Sequence, residues 1–355
     1  MTKFIQLHLL TAFPAGNLNR DDVGAPKTVV FGGATRLRIS SQSLKRAWRT
    51  SDIVAKEVGD FLGTRTVRAG TEAANVMIQN GADQDSAIKF GEQVANQLGK
   101  AKKENKTKEK GPSFIRTETE QLVHLSPKEL DNIAELAKRK ASGQEVTDKD
   151  LTAIFTSENM AVDIAMFGRM LASSPRENVE AACQVAHAIG VSASVVEDDF
   201  FTAVDDLKQL SNDDAGAGHL GETAFGSAIF YSYICIDYDL LLNNLNGDEE
   251  LAKKAVRAFA QAAMEVPPTG KQNSFATRAY ASWVLAEKGE AQPRSLATAF
   301  CRPVYGENML SDAIERVETF RDNMNSVYGQ TIPSKSFNVL TNSGSMESVL
   351  NFITE

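Results

Sequence analysis

The stretch Arg36–Arg49, RLRISSQSLKRAWR, decides the local fold expected for the first part of the chain. Arg36–Ile39 alternates basic and apolar residues, which predicts a short β-strand. Ser40 or Ser41 can cap a helix that begins near Gln42, because a serine hydroxyl accepts a hydrogen bond from a first-turn backbone N–H. Apolar residues then recur at helical spacing and are expected to face the core: Leu44, Ala47, Trp48 and Val54.

The opposite face of this helix is polar and basic. Gln42, Lys45 and Arg49 are spaced i, i+3 and i+7 and therefore share one exposed face. Arg36 and Arg38 are expected on one face of the preceding strand. With Arg46, the capped helix start and the serine hydroxyls, they form a set that suits phosphate and ribose oxygens.

This positive charge is local. Residues 1–49 hold eight basic and two acidic side chains, whereas the remaining 306 residues hold thirty basic and forty-four acidic ones. A basic patch on an acidic protein attracts a polyanion to one place, and a nucleic acid is the expected polyanion. The alternative is a basic face that pairs with an acidic subunit.

Several classes of protein lack support in the sequence. The three cysteines are far apart and make neither a disulfide framework nor a zinc spacing, which favours a reducing, cytoplasmic environment. No signal peptide is evident, and no apolar run approaches the ~20 residues that span a bilayer, so no membrane partner is expected. Phosphate-loop, dinucleotide-binding and serine-hydrolase motifs are absent, and the four histidines show no metal-ligand spacing.

The pattern along the chain is that of an α+β protein with a helical insertion. The capping-box motif Ser126–Glu129 and the related Thr-x-x-Asp spacing of Thr147–Asp150 support helices in the middle of the chain. His187 is placed on a helix among apolar residues, which favours a core or semi-buried histidine over a ligand. The expected strands are 3–10, 36–39, 161–170, 193–207 and 223–241, and the expected helices are 42–54, most of 71–160, 178–189, 249–266 and 310–328.

Two further features leave alternatives open. Asp21–Asp22 and Asp205–Asp206 are adjacent carboxylates that could bind a divalent metal, although such pairs more often cap helices or close turns. The lysine-rich run Lys100–Lys110 is either a solvated loop or a sequence-blind contact to nucleic acid.

Seven motifs occur in an order that closely resembles the CasC backbone subunits of type I-E Cascade, a CRISPR RNA-guided DNA surveillance complex. The resemblance is strong up to about Tyr238, except over residues 64–160, which share only their helical character with the family. It is weaker from there to the C-terminus. The motifs are NLNRDD (Asn17–Asp22), FGG (Phe31–Gly33), RISSQSLKRA (Arg38–Ala47), VDIAMFGRM (Val162–Met170), AHAI (Ala186–Ile189), FTAVDDL (Phe201–Leu207) and HLG (His219–Gly221).

The resemblance implies an RRM-like (ferredoxin-like) palm over 1–63 and 161–355, a helical fingers insertion over 64–160, and a thumb hairpin at about 195–225. It implies a non-catalytic subunit whose copies stack along CRISPR guide RNA, kink it periodically and present it for pairing with target DNA. The implied partners are guide RNA, target DNA, further copies of the chain, and the large, small, guide-end-capping and guide-processing subunits of the complex. No cofactor is implied.

The resemblance also assigns residues. The implied RNA-binding set is Arg20, Lys27, Ser40, Gln42, Lys45, Arg46, Arg49 and Arg169, with Met170 as the wedge beneath the kinked nucleotide. Phe200, Phe201 and Leu220 belong to the implied thumb, where phenylalanine at 200 replaces the tryptophan expected from the family. Basic residues of the fingers that could touch target DNA are Lys102, Lys103, Lys106, Lys108, Lys138, Arg139 and Lys140.

Two other functions remain open at this point. Backbone subunits of type III CRISPR complexes cut RNA with a loop aspartate, and Asp21 or Asp22 is the candidate for a metal-dependent ribonuclease. A generic single-strand-binding filament protein would need the same basic surface but no fixed register on the RNA.

Overall fold

A computed structural model describes residues 3–103, 113–158, 160–171, 173–203 and 219–355. Its elements confirm a mixed α/β fold with a large antiparallel sheet. The strands are β1 (Phe4–Gly16), β2 (Thr28–Phe31), β3 (Ala34–Ile39), β4 (Thr64–Thr66), β5 (Val123–Leu125), β6 (Cys183–Val185), β7 (Ala188–Gly190), β8 (Glu197–Ala203), β9 (His219–Asp237), β10 (Trp283–Gly289) and β11 (Ser334–Asn338). The helices are α1 (Ser41–Arg49), α2 (Asp52–Val58), α3 (Ala69–Gln79), α4 (Gln84–Leu98), α5 (Pro127–Ala141), α6 (Asp148–Thr152), α7 (Val162–Phe167), α8 (Tyr238–Asn244), α9 (Glu249–Glu265), α10 (Gln272–Phe275), α11 (Met309–Tyr328) and α12 (Met346–Thr354).

The chain folds into two compact units, which we call the sheet unit and the helical unit. Of the described residues, those within 1–54, 185–235 and 256–355 form the sheet unit, and those within 55–184 and 236–255 form the helical unit. The helical unit therefore begins before residue 64 and ends beyond residue 160. The palm, fingers and thumb boundaries taken from the family resemblance stay predictions.

The sheet unit is built on one continuous path of strands, in the order β11, β10, β1, β9, β7, β3, β2. The register is antiparallel where β1 meets β10, with Phe4 opposite Gly289 and Leu10 opposite Trp283. β3 pairs with β7 through Arg38 and Ile189, and β7 pairs with β9 through Ile189 and Tyr231. β3 and α1 therefore lie at the β2 end of the sheet, which places the basic stretch beside that edge.

One face of the sheet carries an apolar core. Trp283 and Leu285 of β10 pack with Ile229 and Tyr231 of β9, and α11 adds Ile314 and Val317 in the same cluster: Leu10, Val191, Ile229, Tyr231, Trp283, Leu285, Leu296, Phe300, Val304, Ala313, Ile314 and Val317. Burial of this much aliphatic and aromatic surface is what holds α11 on the sheet.

Arg36 lies inside this unit rather than on its surface. The side chain is fully buried, and its guanidinium donates to the carbonyls of Gly190 at 3.1 Å, Val191 at 2.7 Å and Phe300 at 3.0 Å. The expectation that Arg36 belongs to the basic binding surface is wrong, because three carbonyls from distant parts of the chain hold its charge inside.

A buried ionic network lies in the same sheet. The carboxylate of Glu287 on β10 accepts from Arg294 Nη1 at 3.0 Å and from Arg321 Nε at 2.8 Å, and it lies 3.4 Å from His8 Nε2 on β1. Tyr231 Oη lies 2.8 Å from His8 Nδ1 and fixes the other side of that ring. The network links three elements of the sheet unit through one carboxylate.

The helical unit has its own core around α3, α4 and α5. Both capping boxes are confirmed: the Ser126 and Thr147 side chains each accept from the backbone three residues on, and Glu129 and Asp150 reach back. The buried residues of this core are Ala69, Ala73, Ala74, Met77, Ala87, Phe90, Val94, Leu98, Val123, Leu125, Ile133, Leu136, Ala137, Leu151, Ile154, Phe155 and Leu171.

Two predicted elements are wrong. Residues 161–170 hold helix α7, not a strand, because Val162–Met166 is buried all round and therefore has no periodicity to read. Gly168, with φ at +77°, follows the helix. Residues 178–189 hold β6 and part of β7 instead of a helix, because pairing with β9 overrides the helix preference of the alanines. The helices expected near 249–266 and 310–328 are confirmed.

In the ranges that the structure describes, no helix has both the length and the apolar character needed to cross a bilayer.

Candidate nucleic-acid interface

Helix α1 has the cap and the faces that the sequence predicts. Ser40 is the N-cap, and its Oγ accepts from Ser43 N at 3.3 Å. Leu44, Ala47 and Trp48 are buried on the core face. On the other side, Gln42 and Arg46 are exposed, and Lys45 and Arg49 are half-buried. The helix thus presents three cations along its outer surface.

The loop before β2 is fastened to the start of this helix. Asn19 Oδ1 accepts from Ser40 N at 2.8 Å, and Asn19 O accepts from Lys27 N at 2.9 Å. Asp21 Oδ1 accepts from Val23 N and Ala25 N and so closes the loop on itself. The fastening places the exposed Arg20 in the same region of surface as α1.

A cleft of about 550 Å³ separates this loop from α1. Arg20 and Arg46 supply positive charge to its lining, Ser43, Thr50 and Thr269 supply hydroxyls, and Asp21 and Asp22 supply carboxylates. Guanidinium and hydroxyl donors at one cleft can bind phosphate and ribose oxygens. We call the surface formed by Arg20, Lys27, Arg38, Gln42, Lys45, Arg46 and Arg49 the basic seat.

The sequence analysis did not predict a hydrogen-bonded pair inside the basic seat, between Arg38 and His187. Arg38 Nη1 lies 2.7 Å from His187 Nδ1, and both side chains are half-buried. Burial lowers the pKa of His187, and the positive charges of Arg38, Lys27 and Lys45 lower it further. The sequence analysis placed His187 on a helix that the structure does not contain. The only signal for His187 as a site residue was its place in AHAI, one of the seven motifs of the family resemblance.

Two members of the implied RNA-binding set have their side chains occupied within the protein. Ser40 is buried and acts as the helix cap. Arg169 is buried in the helical unit, where its guanidinium donates to Glu129 Oε2 at 2.6 Å and to the carbonyls of His124 and Glu177. The expectation that the Arg169 side chain contacts RNA is wrong, because this ion pair and two carbonyls already hold it inside.

Met170, the next residue, has the opposite environment. Its side chain is 84% exposed, so Met170 is not a core residue, although methionine as a residue type is usually buried. Its neighbours are anchored: Arg169 and Val179 exchange two backbone hydrogen bonds of 2.9 Å, and Leu171 N donates to Asn178 Oδ1 at 2.6 Å. An apolar side chain therefore stands on a fixed segment and faces solvent.

The thumb expected at about 195–225 is described only in part, since residues 204–218, including Asp205–Asp206, lie outside the described residues. β8 pairs with the first part of β9, with Phe200 opposite Glu222, Phe201 opposite Gly221 and Thr202 opposite Leu220. Side chains of directly opposed residues share a face, so Phe200 and Leu220 lie on one face and Phe201 on the other.

Both faces of the β8–β9 pair present apolar side chains to solvent. Phe200, Leu220 and Phe201 are 63%, 58% and 43% exposed. The Phe201 ring covers Gly221, where an added Cβ would come within 2.4 Å of it. Exposed aromatic rings of this kind suit stacking on bases.

The basic residues of the predicted fingers differ in solvent exposure and in ion pairing. Lys103 and Lys138 are exposed, and Lys140 is half-buried. Lys102 pairs with Glu118 at 2.7 Å, and Arg139 pairs with Asp150 at 3.2 Å. Lys106 and Lys108 lie outside the described residues.

Across the described ranges, no group of three or more histidine, cysteine, aspartate or glutamate side chains is arranged to hold a metal ion. Asp21, one of the four aspartates considered for metal binding, has one carboxylate oxygen engaged in closing its own loop.

The chain belongs to the family of CT1975-like proteins, because the model of that family, Cas_CT1975, matches residues 5–352. No curated protein sequence matches the chain. One similar solved chain comes from a structure described as a CRISPR RNA-guided surveillance complex, pre-nicking. It is 29% identical with a TM-score of 0.84, and the match covers 99% of each chain.

A second solved chain, from a structure described as a CRISPR RNA-guided surveillance complex, is 24% identical with a TM-score of 0.73, again over 99% of each chain. At this identity the likeness concerns the fold alone. The two matches extend over the sheet unit and the helical unit alike, so the shared fold is that of the whole chain.

Proposed function

We propose that the protein is a CasC-type backbone subunit of a type I-E Cascade that binds CRISPR guide RNA and does not cut it. The basic seat carries this proposal: a capped helix and a fastened loop gather cations on one surface of an otherwise acidic chain. Membership of the CT1975-like family and similarity to chains of RNA-guided surveillance complexes support it.

In this proposal the two kinds of surface have different tasks. Cations of the basic seat neutralise phosphates without reading bases, which suits a guide of any sequence. Met170 and the β8–β9 pair supply the apolar contacts that kink the RNA and turn bases outward, so that base pairing reads the target. Copies of the chain stack along one guide, in a cytoplasmic complex with the other Cascade subunits.

Reconstitution on guide RNAs of increasing length tests the assembly. We expect native mass spectrometry to show one further copy of the protein each time the RNA grows by a fixed number of nucleotides. The bound RNA should remain intact in Mg²⁺ or Mn²⁺, because a backbone subunit that only binds leaves the phosphodiester untouched. Copy numbers that do not depend on RNA length and register would support a generic single-strand-binding protein instead.

Asp22→Asn separates binding from catalysis in the same experiment. Cleavage of RNA by the wild-type protein that disappears in Asp22→Asn would establish the metal-dependent ribonuclease. Asp22 is the better position to change, because Asp21 also holds its loop closed.

The exposed Lys103 and Lys138 and the half-buried Lys140 of the helical unit supply a second contact in this proposal, with the phosphates of target DNA. Replacing Lys103, Lys138 and Lys140 by glutamine should weaken target DNA binding and reduce its salt dependence. The slope of log affinity against log salt concentration, the log–log salt slope, should fall by about 0.9 for each duplex phosphate that is no longer neutralised. Guide RNA assembly should be unchanged. Electrophoretic mobility shifts at several salt concentrations measure both.

Lys89→Gln is the matched control, since Lys89 is an exposed lysine of α4 in the same unit. Equal loss of RNA and DNA binding would assign the three lysines to the guide, and loss of neither would leave them as solvated side chains.

A further inference from the structure

The Arg38–His187 pair has a defined protonation state. A guanidinium carries only N–H donors, so the 2.7 Å contact requires His187 Nδ1 to accept. The proton of the neutral imidazole is then on Nε2. The lowered pKa of His187 agrees with a ring that is neutral at pH 7, because its reference value is 6.5.

The charged groups that act on the His187 ring are all positive. In the described part of the chain, the charges that act on His187 come from Arg38 on β3, Lys27 in the loop before β2 and Lys45 on α1. A neutral acceptor inside a cluster of cations holds one of them in place without cancelling its charge. A carboxylate at this position would neutralise Arg38 and reduce its attraction for phosphate.

We propose that Arg38 is a further phosphate-binding residue of the basic seat and that His187 is the residue that positions it. The inference rests on the proposed function, since the phosphate is that of the bound guide RNA. Arg38 Nε also approaches Thr28 O at 3.4 Å, so its guanidinium is oriented from two sides. A planar, preoriented guanidinium can donate two parallel hydrogen bonds to one phosphate with little loss of side-chain entropy.

The test is a double-mutant cycle on RNA affinity. Arg38→Ala should weaken binding about tenfold and reduce the log–log salt slope by about 0.7, the value for one neutralised single-strand phosphate. His187→Leu removes the acceptor and should weaken binding about threefold to tenfold, the effect of one hydrogen bond. In the Arg38→Ala background, His187→Leu should have no further effect, because there is no guanidinium left to position.

His187→Asn is the matched control, since asparagine is close in size to leucine and can place an amide oxygen where Nδ1 accepted. It should retain most of the affinity that His187→Leu loses. Additive effects of His187→Leu and Arg38→Ala, or equal losses in the leucine and asparagine variants, would overturn the positioning role.

A spectroscopic measurement on the unmodified protein covers the case in which a variant folds poorly. With ¹⁵N-labelled histidine, the His187 ring should give the signature of a neutral imidazole with its proton on Nε2 at pH 7. A cationic ring, or a proton on Nδ1, would exclude the hydrogen bond from Arg38.

The two proposals can fail separately. A wild-type protein that binds no RNA would refute the proposed function and the role of Arg38 together. RNA binding that persists unchanged in Arg38→Ala would leave the proposed function standing and refute this inference alone.

Discussion

A Lys45→Ala/Arg49→Ala double variant will bind guide RNA about a hundredfold more weakly than the wild-type protein and with a flatter salt dependence. Both side chains lie on the outer face of α1, one turn apart, where each can neutralise a phosphate of the same strand. Removal of a charge-assisted hydrogen bond weakens binding by roughly tenfold, and two phosphates left without their cations reduce the log–log salt slope by about 1.4. Titration of several guide sequences at four or five salt concentrations measures both quantities.

Met170→Ala is the charge-free comparison. It removes an exposed apolar side chain, so its salt slope should equal that of the wild-type protein. Its defect should appear in the bound RNA as loss of a periodic reactivity to a base-modifying probe. A slope that falls in Met170→Ala as far as in the double variant would refute the division between a basic seat and an apolar wedge.

The second large effect is expected at Glu287. Glu287→Gln should lower the free energy of unfolding by about 3–5 kcal/mol at pH 7, because it removes the buried counter-charge of two largely buried guanidinium groups. Arg321 would keep an ionic contact with the exposed Asp322, at 3.4 Å. Arg294 and Arg321 are only 12% and 18% exposed, and the carboxylate between them is fully buried. Urea denaturation of both proteins measures the difference.

The pH dependence of this effect has a definite direction. Burial alone would raise the pKa of the Glu287 carboxyl, but hydrogen bonds from His8 and Arg321 and the charges of His8 and Arg294 outweigh burial and hold the pKa at about 2. A carboxyl whose pKa is lower in the folded state contributes stability above its unfolded pKa, near 4.5, and loses it as the pH falls toward 2. The wild-type protein should therefore lose stability over that interval more steeply than Glu287→Gln.

Glu347→Gln is the control for this experiment. Glu347 pairs with Arg257 at 2.7 Å, but its side chain is 63% exposed, so removing this ion pair should change the stability by less than about 1 kcal/mol. Equal destabilisation by the two substitutions would mean that burial does not determine the strength of the Glu287 network.

Features set by neighbours in the sequence were predictable. The cap at Ser40, the faces of α1 and both capping boxes depend on residues three or four apart, and the structure confirms each of them. The resemblance to a known family supplied what local rules could not, namely the assignment of Met170 as a wedge. That role stays a prediction, with which the exposure of the side chain agrees.

Features set by distant parts of the chain were not predictable from local pattern. Arg36 and Arg38 alternate as an exposed strand face would, yet the carbonyls that bury Arg36 come from residues 190, 191 and 300. Glu129 was expected only to cap α5, and nothing in its local sequence indicates the ion pair with Arg169. His187 was misplaced because β7, which begins at the next residue, pairs with β9 through Ile189 and Tyr231, forty-two residues apart.

The anchoring of Arg169 has a consequence for how Met170 would meet a nucleotide. Because the residues on either side of it are already fixed, ordering the backbone there would add little to the entropy lost on binding. The cost that remains is mainly the rotamer freedom of one side chain. Methionine is unbranched and polarisable, so it can adjust to the face of a purine or a pyrimidine without a change of backbone. A rigid backbone with an adaptable side chain would treat the four bases alike, as the proposed binding of guides of any sequence requires.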